Sequence, residues 1–391
     1  RRSAGRCAAL RADGHEAEIM ARSGLGLDPL FPAAKIAWLL DAIPDARRRA
    51  EAGELRCGTI DSWLLWNLTD GALHATDYSN ASRTQLFNLD TLQWDAELAR
   101  LFDVPLNLLP KVMPSNSLFG TVAPGLTALN EGTPIHAVMG DSHAALFEHA
   151  AAGPGRVKAT IGTGSSLMAA TDTRPRSTHG LSSTIAWARD GGVQYALEGN
   201  ILVSGHAAAF ATTLLGVEDE EALTRLAGSV ADSGGVIFVP ALAGLGAPHW
   251  SSEARGTITG LSLASTPAHV ARATLEAIAH QIVDVLEALD ADLGAPLAEL
   301  SVDGGASRNA LLMQLLADLS GRAIVRPALA EASALGVARL AREALGIAAG
   351  QADATVAERF APALSAAARD AARTRWRAAV RDAIRIATGE R

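Results

Sequence analysis

One junction constrains this chain more than any other. The apolar run Pro134-Ile135-His136-Ala137-Val138-Met139 stops at Gly140-Asp141-Ser142, and small-residue helical spacing takes over through His143-Ala144-Ala145-Leu146-Phe147. That pattern predicts a buried strand feeding a helix. A carboxylate at such a junction lies at the C-terminal edge of a sheet, where open α/β folds place their ligands. The helix N-terminus beside it offers free N–H groups and partial positive charge, which keep Asp141 ionised and ready to accept a proton. Asp is also a preferred helix cap, so a plain N-cap is the alternative reading of this residue taken alone.

A chain of 391 residues, 49% hydrophobic and 19% charged, is large enough to bury the cores of two domains. Its formal net charge of −8 provides no basic field for nucleic acid or anionic membrane, so neither partner is expected. Only Cys7 and Cys57 occur, which rules out a disulfide framework or a cysteine metal cluster. No apolar run approaches the ~20 residues that span a bilayer, and no secretory signal is legible, so a reducing cytoplasm is the expected home. The chain opens on Arg1-Arg2-Ser3, already inside a helical pattern and without an initiator Met, and reads as a fragment of a longer protein.

In the first half, residues 1 to about 22 read as one Ala- and Arg-rich helix, and Ser23 to Pro29 as a turn. Phe31 to Asp41 resumes helical spacing with Ile36, Leu39 and Leu40 on one face, as a core helix would. Cys57 to Trp66 reads as a strand entering a helix capped by Asp61 or Ser62. The polar stretch Thr76-Asp77-Tyr78-Ser79-Asn80-Ala81-Ser82-Arg83-Thr84 is either a turn network or a ligand wall. Trp94 to Phe102 reads as a short helix, Pro105 to Pro114 as a connection, and Gly120 to Thr133 as a surface loop.

In the second half, Gly155 to Ile161 alternates like a strand and meets Gly162-Thr163-Gly164, a tight turn whose N–H groups can face an anion. Tyr195 to Asn200 and Val236 to Pro240 read as strands, and Ile201 to Leu215 as a helix with Gly205 and Ala209 on one face. Gly244 to Trp250 is a shaped loop. Leu300 to Asp303 reads as a strand followed by Gly304-Gly305-Ala306-Ser307-Arg308-Asn309 and a helix from Ala310, an arrangement that suits a nucleotide. Ala334 to Ala338 matches Ala144-Ala145 as a second small-residue helix, and two such helices let domains cross closely and hinge. Residues 364–391 read as a solvated surface helix whose acidic residues break up its basic charge.

Taken in order, these pieces resemble the FGGY carbohydrate kinases, most closely their glycerol-kinase branch. Gly256 to Leu261, followed by His269-Val270 and Ala273 to Glu276, fits one family signature throughout. Phe31 to Asp41 fits a second loosely, keeping Lys35 and Trp38 but with Ala33 where Pro, Ser or Thr is usual. Gly58 to Asp61, Thr76 to Thr84, Pro240 to Trp250 and Val302 to Ala306 resemble the same branch, and the likeness runs collinearly along the whole chain. It implies an α/β fold of the actin-like ATPase (ribonuclease H-like) type, two domains with a central cleft, divided as 1–148 and 149–391. It implies ATP and Mg²⁺ as cofactors and a small polyol or sugar as partner, and it is compatible with a homo-oligomer. Asp141 corresponds to the general base, near the Mg²⁺, with no metal ligand assigned. Gly162, Thr163 and Gly164 match a phosphate-binding hairpin, while Gly205, Gly305 and Asn309 line the nucleotide, the last two at the adenine. Ala209 stands where the branch has Gln and removes one nucleotide contact.

The departures fall in the pocket. Leu30 replaces an aromatic, Ser142 replaces the Gln after the base, and Ser166 replaces a Phe beyond the hairpin. Losing two aromatics enlarges and polarises a polyol site, so a substrate more hydroxylated than glycerol is expected. The family's first phosphate loop and its Arg-Glu pair are absent from these residues, so turnover is expected of the intact gene product rather than of this fragment. The alternatives are a xylulokinase-type ketose kinase and a nonenzymatic nucleotide-binding protein of the same fold.

Overall fold

The structure, a computed structural model, describes residues 2–150, 157–189, 191–328, 331–347 and 358–389. The expected strand start at Gly155-Arg156 and the tail end at Glu390-Arg391 lie outside these residues. The fold is built on a seven-stranded mixed sheet. In spatial order its strands are Glu358–Phe360, Ala323–Arg326, Glu299–Asp303, Val157–Ile161, Ser165–Thr171, Gly192–Ile201 and Ser182–Arg189. The Glu299–Asp303 strand runs parallel to both neighbours, and the next three pairings are antiparallel.

Alternation sets the two faces of this sheet. Val157, Ala159, Ile161, Leu167, Ala169, Leu197, Leu300 and Val302 form one core with the long helix Pro267–Leu293 and the helix Ala310–Ser320. The opposite face carries Lys158, Thr160, Ser166, Met168, Glu198, Ser301 and Asp303, placed side by side by strand register. A period-two pattern ordinarily leaves its polar side in water. Here the helix Asp141–Ala150 lies across the polar face, so Lys158, Glu198 and Ser301 are buried as well.

That helix is clamped from outside by the helix Ala332–Ala344, the second small-residue helix of the sequence. A Cβ on Gly336 would stand 1.9 Å from the Ala144 carbonyl oxygen, so the two backbones touch. Gly336→Ala is therefore expected to push the helices apart and cost about 1–3 kcal/mol. Chemical denaturation measures it, and a loss below about 0.5 kcal/mol would show that the crossing is looser than the geometry says.

Several expectations need correction. The opening helix is two, Ala4–Ala12 and Glu16–Ser23, because the His15 N–H closes onto the Leu10 carbonyl and ends the first. Leu39 is 46% exposed, whereas Ile36 and Leu40 are buried. Cys57 to Thr59 is not a strand, and the helix Ile60–Leu68 is preceded by Thr59 rather than capped at Asp61 or Ser62. Pro134 to Met139 is extended, but its backbone bonds reach Ser115, Phe119 and Gly120 singly, so no continuous ladder forms. Lys111–Met113, within the expected connection, pairs instead in parallel with Ala75–Asp77. The terminal helix Ala366–Thr388 is not simply solvated: Arg373, Trp376, Ala379, Val380 and Ala383 are buried. No described helix is long and apolar enough to cross a membrane.

Candidate active site

Asp141 begins its helix with an exposed carboxylate, and its Oδ1 accepts the N–H of Ser142. Asp141 is thus the first helical residue rather than the cap before it: one oxygen is engaged by its neighbour's N–H while the side chain stays exposed. The residue before it is fixed from the N-terminal half. Gly140 N donates to Ser79 Oγ (2.9 Å), and Ser79 Oγ donates in turn to the fully buried Asp77 (2.9 Å). Asp77 also accepts from the Ser79 and Asn80 N–H groups (3.0 Å each), Asn80 Nδ2 (2.8 Å) and Ser115 Oγ (2.7 Å). Within the Thr76 to Thr84 stretch these bonds form a network around Asp77 whose last link fixes Gly140, the residue before Asp141.

The body of the Asp141 helix is pinned to the polar sheet face by two histidines. His143 Nε2 meets Thr184 Oγ1 at 3.2 Å, and burial pushes the His143 pKa down to about 4, so the ring is neutral at pH 7. His149 bridges Ser301 Oγ at Nδ1 (2.6 Å) and Asp303 Oδ2 at Nε2 (2.9 Å). A carboxylate can only accept, so Nε2–H donates to Asp303. Burial raises the Asp303 pKa, but His149, Lys158 and Thr160 outweigh it and leave the carboxyl below its usual value.

Three backbone segments converge at the C-terminal ends of the central strands. In the Gly162-Thr163-Gly164 turn, Gly162 N bonds Gly164 O at 2.9 Å, while the Thr163 and Gly164 N–H groups meet no acceptor among the described residues. The helix Gly205–Leu215 starts against this turn, with Gly205 N on Gly162 O at 2.8 Å and Ser204 N on Thr163 O at 3.0 Å. Gly304, with φ +87°, rests on the end of the Val157–Ile161 strand, where a Cβ would come within 2.6 Å of the Ile161 carbonyl oxygen. Gly305 beside it faces open space. Unpaired N–H groups at such a turn are chemically able to accept an anion such as a phosphate.

The remaining expected residues lie around this frame. Ala209 is exposed one turn beyond Gly205. Asn309 caps the Ala310–Ser320 helix by accepting Leu312 N (3.1 Å), and its amide donates to Thr224 Oγ1 (2.9 Å). Ser142 is half-buried. Ser166 Oγ donates to Glu198 Oε1 (3.0 Å), and Glu198 also forms an ion pair with Arg83, whose guanidinium covers the Phe31 ring. Leu30 is 40% exposed and lines a cavity of about 480 Å³ with Asp28, Trp38, Leu202 and Leu245. Neither Asp141 nor Ser166 borders that cavity, so Leu30 is not brought together with them.

Sequence reading missed the roles of Glu198, Arg83 and His149. Glu198 stood in the quoted strand Tyr195 to Asn200, and an acidic residue among apolar ones was its available signal. Among the described residues no group of three or more His, Cys, Asp or Glu side chains is arranged to hold a metal.

Residues 1–148 match the N-terminal domain, and residues 157–345 the C-terminal domain, of the FGGY family of carbohydrate kinases. A glycerol kinase of Aromatoleum aromaticum is 47% identical over 386 residues, covering 97% of this chain and 77% of that protein. One of Trichlorobacter lovleyi is 49% identical over 348 residues, covering 88% and 70%. Among solved structures, the crystal structure of Plasmodium falciparum glycerol kinase with ADP aligns at a TM-score of 0.89 and 30% identity, covering 98% of this chain and 78% of that one. A xylulose kinase from Rhodospirillum rubrum aligns at 0.81 and 26%, covering 98% and 78%.

Proposed function

Because this chain belongs to the FGGY family of carbohydrate kinases, we propose that Asp141 is the general base of a polyol phosphorylation carried out across its cleft. The class of activity is ATP-dependent transfer of a phosphoryl group to a hydroxyl of a polyol or sugar, and the chain has the actin-like ATPase fold of its relatives. The residue-level reading is supported by two features of the fold, an exposed carboxylate at a helix N-terminus and a turn with unpaired backbone N–H groups at the end of a central strand.

In this reading residues 1–148 carry the base and substrate side, and residues 149–391 the nucleotide side. Asp141 takes the hydroxyl proton as that oxygen bonds to the γ-phosphorus and the bond to the departing diphosphate breaks. Thr163 and Gly164 donate to phosphate oxygens, and the Gly205 helix adds its positive end. The open backbone at Gly305 and the side chain of Asn309 border the base of the nucleotide, and Ala209 leaves that side without a polar contact. Mg²⁺ carried on nucleotide phosphates needs no all-protein cage, so the donor set is compatible with it. Bound there, it would neutralise charge developing on the transferred group. The two cysteines are free, which suits a reducing cytoplasm.

For the substrate, we favour a polyol more hydroxylated than glycerol. Ser142 and Ser166 stand where the family resemblance has bulkier groups that would restrict the pocket, and Ser166 Oγ already lies beside the polar Glu198–Arg83 pair. The test is kcat/KM of the full-length gene product for glycerol, tetritols and pentitols. A four- or five-carbon polyol is expected to exceed glycerol by about tenfold or more, the scale on which pocket contacts discriminate. Glycerol as the best substrate would overturn this preference while leaving the kinase assignment intact.

A further inference from the structure

The terminal helix Ala366–Thr388 lies against the long helix Pro267–Leu293 and the helix Ala310–Ser320, and with the segment 231–238 they enclose a cavity of about 430 Å³. It borders none of Asp141, Gly162, Thr163, Gly164, Gly305 and Asn309. Pockets for small organic molecules typically span about 300–1,000 Å³. The buried side chains of Phe238, Leu315, Leu319 and Trp376 give this one an apolar lining. One polar group on its wall is left over by the protein. His280 borders the cavity and is 7% exposed, its ring held flat against Trp376. Its Nδ1 meets Arg373 Nη1 at 3.0 Å, and a guanidinium can only donate, so Nδ1 is the acceptor. Burial, reinforced by the Arg373 charge, pushes the ring's pKa down to about 3, so it is neutral at pH 7 and carries its one proton on Nε2. That Nε2–H meets no acceptor among the described residues. A buried donor without a protein partner calls for water or a ligand.

We propose that this cavity is a second small-molecule site, one that takes an uncharged molecule with an apolar ring and an oxygen acceptor, such as a carbonyl, which His280 Nε2–H bonds. The charged groups on the wall decide the class. Glu276 is paired with Arg272 at 2.9 Å. Asp318 Oδ1 accepts the Ala363 N–H (2.7 Å) and Gln314 Nε2 (2.9 Å), and Asp232 Oδ1 accepts the Gly234 N–H (2.8 Å). With the exposed Arg375, three carboxylates stand against two guanidiniums, so no net positive field draws an anion in. A cation would find each carboxylate already engaged and would lose its water against an apolar lining. An uncharged acceptor costs least to bring in and satisfies His280. The site is separate from the polyol reaction, and nothing in it rests on Asp141 being the base.

The test is ligand-observed saturation-transfer NMR on the full-length gene product, with ADP in excess to occupy the nucleotide side. The probes are acetophenone, ethylbenzene, which lacks the acceptor, and benzoate, which adds a charge. Acetophenone is expected to bind with a Kd of about 1 mM or tighter, and benzoate more weakly. His280→Phe keeps a ring against Trp376 but has no N–H. In that variant the ratio of the ethylbenzene Kd to the acetophenone Kd is expected to fall by about three- to tenfold, the worth of one hydrogen bond. Ala368 is exposed and borders the cavity, so Ala368→Trp is expected to fill it and weaken both neutral probes by about tenfold or more. No acetophenone binding to the wild type at its solubility limit would overturn the site, as would binding unchanged in Ala368→Trp. An unchanged ratio in His280→Phe, or benzoate binding more tightly than acetophenone, would overturn the class of ligand. Should His280→Phe fail to fold, Ala368→Trp still decides the site and benzoate the class.

Discussion

Replacing Asp141 with Asn in the full-length gene product is expected to lower kcat by about 10²- to 10⁴-fold, the range general-base catalysis supplies. The substitution keeps the shape of the side chain and an oxygen able to accept the Ser142 N–H, so the start of the helix is preserved. The N–H groups of Thr163 and Gly164, proposed above to receive the phosphates, make no bond to the carboxylate, so ATP binding is expected to stay within about threefold of wild type. An interaction used only as the hydroxyl proton leaves should appear in kcat and not in nucleotide affinity. A kcat within tenfold of wild type would show that the proton leaves by another route.

The largest loss of stability is expected at Trp376, far from this chemistry. Its side chain is 1% exposed, its Nε1 donates to Asp284 Oδ2 (2.8 Å), and its ring stacks on His280 with centroids 5.0 Å apart. Val239, Ala241, Leu245 and Ala277 complete the surrounding core. Asp284 also pairs with Arg373 and with His249 of the Gly244 to Trp250 loop, so one carboxylate ties the terminal helix, the long helix and that loop together. Trp376→Ala is expected to cost about 3–5 kcal/mol by cavity formation. Trp376→Phe, which keeps most of the packing but leaves Asp284 one donor short, is expected to cost about 1–3 kcal/mol. Urea unfolding followed by circular dichroism measures both. A loss under about 1 kcal/mol for the Ala variant would mean that the terminal helix packs far more loosely than its burial indicates.

Much of this arrangement could be read from the residues, and the failures have physical causes. Gly162-Thr163-Gly164 and Gly304-Gly305 announced tight backbone next to strand ends, because few other residues permit it. Asp141 stood out as an acid between an apolar run and a small-residue helix. The covering of the polar sheet face was not legible, because alternation reports which side chains share a side, not what covers them. Lys158 looks like a solvent-facing strand residue until the Asp141 helix is laid over it. Arg83 and Glu198 lie more than a hundred positions apart, so their pairing is a tertiary event with no local signature. The Arg- and Ala-rich ending concealed Trp376 for the same reason, since one buried stripe on a charged helix is set by its partner.

Central to the proposed function is the transfer of an ATP phosphoryl group to a polyol hydroxyl. The most direct test incubates the full-length gene product with ATP, Mg²⁺ and glycerol, tetritols or pentitols in turn, and follows phosphorus NMR for a polyol phosphate. A phosphomonoester is expected to form in equal amount to ADP with at least one polyol, and no ester with the Asp141→Asn variant. ATP bound tightly with no ester from any of these compounds would contradict it, and would point to a nucleotide-binding protein that does no chemistry on them.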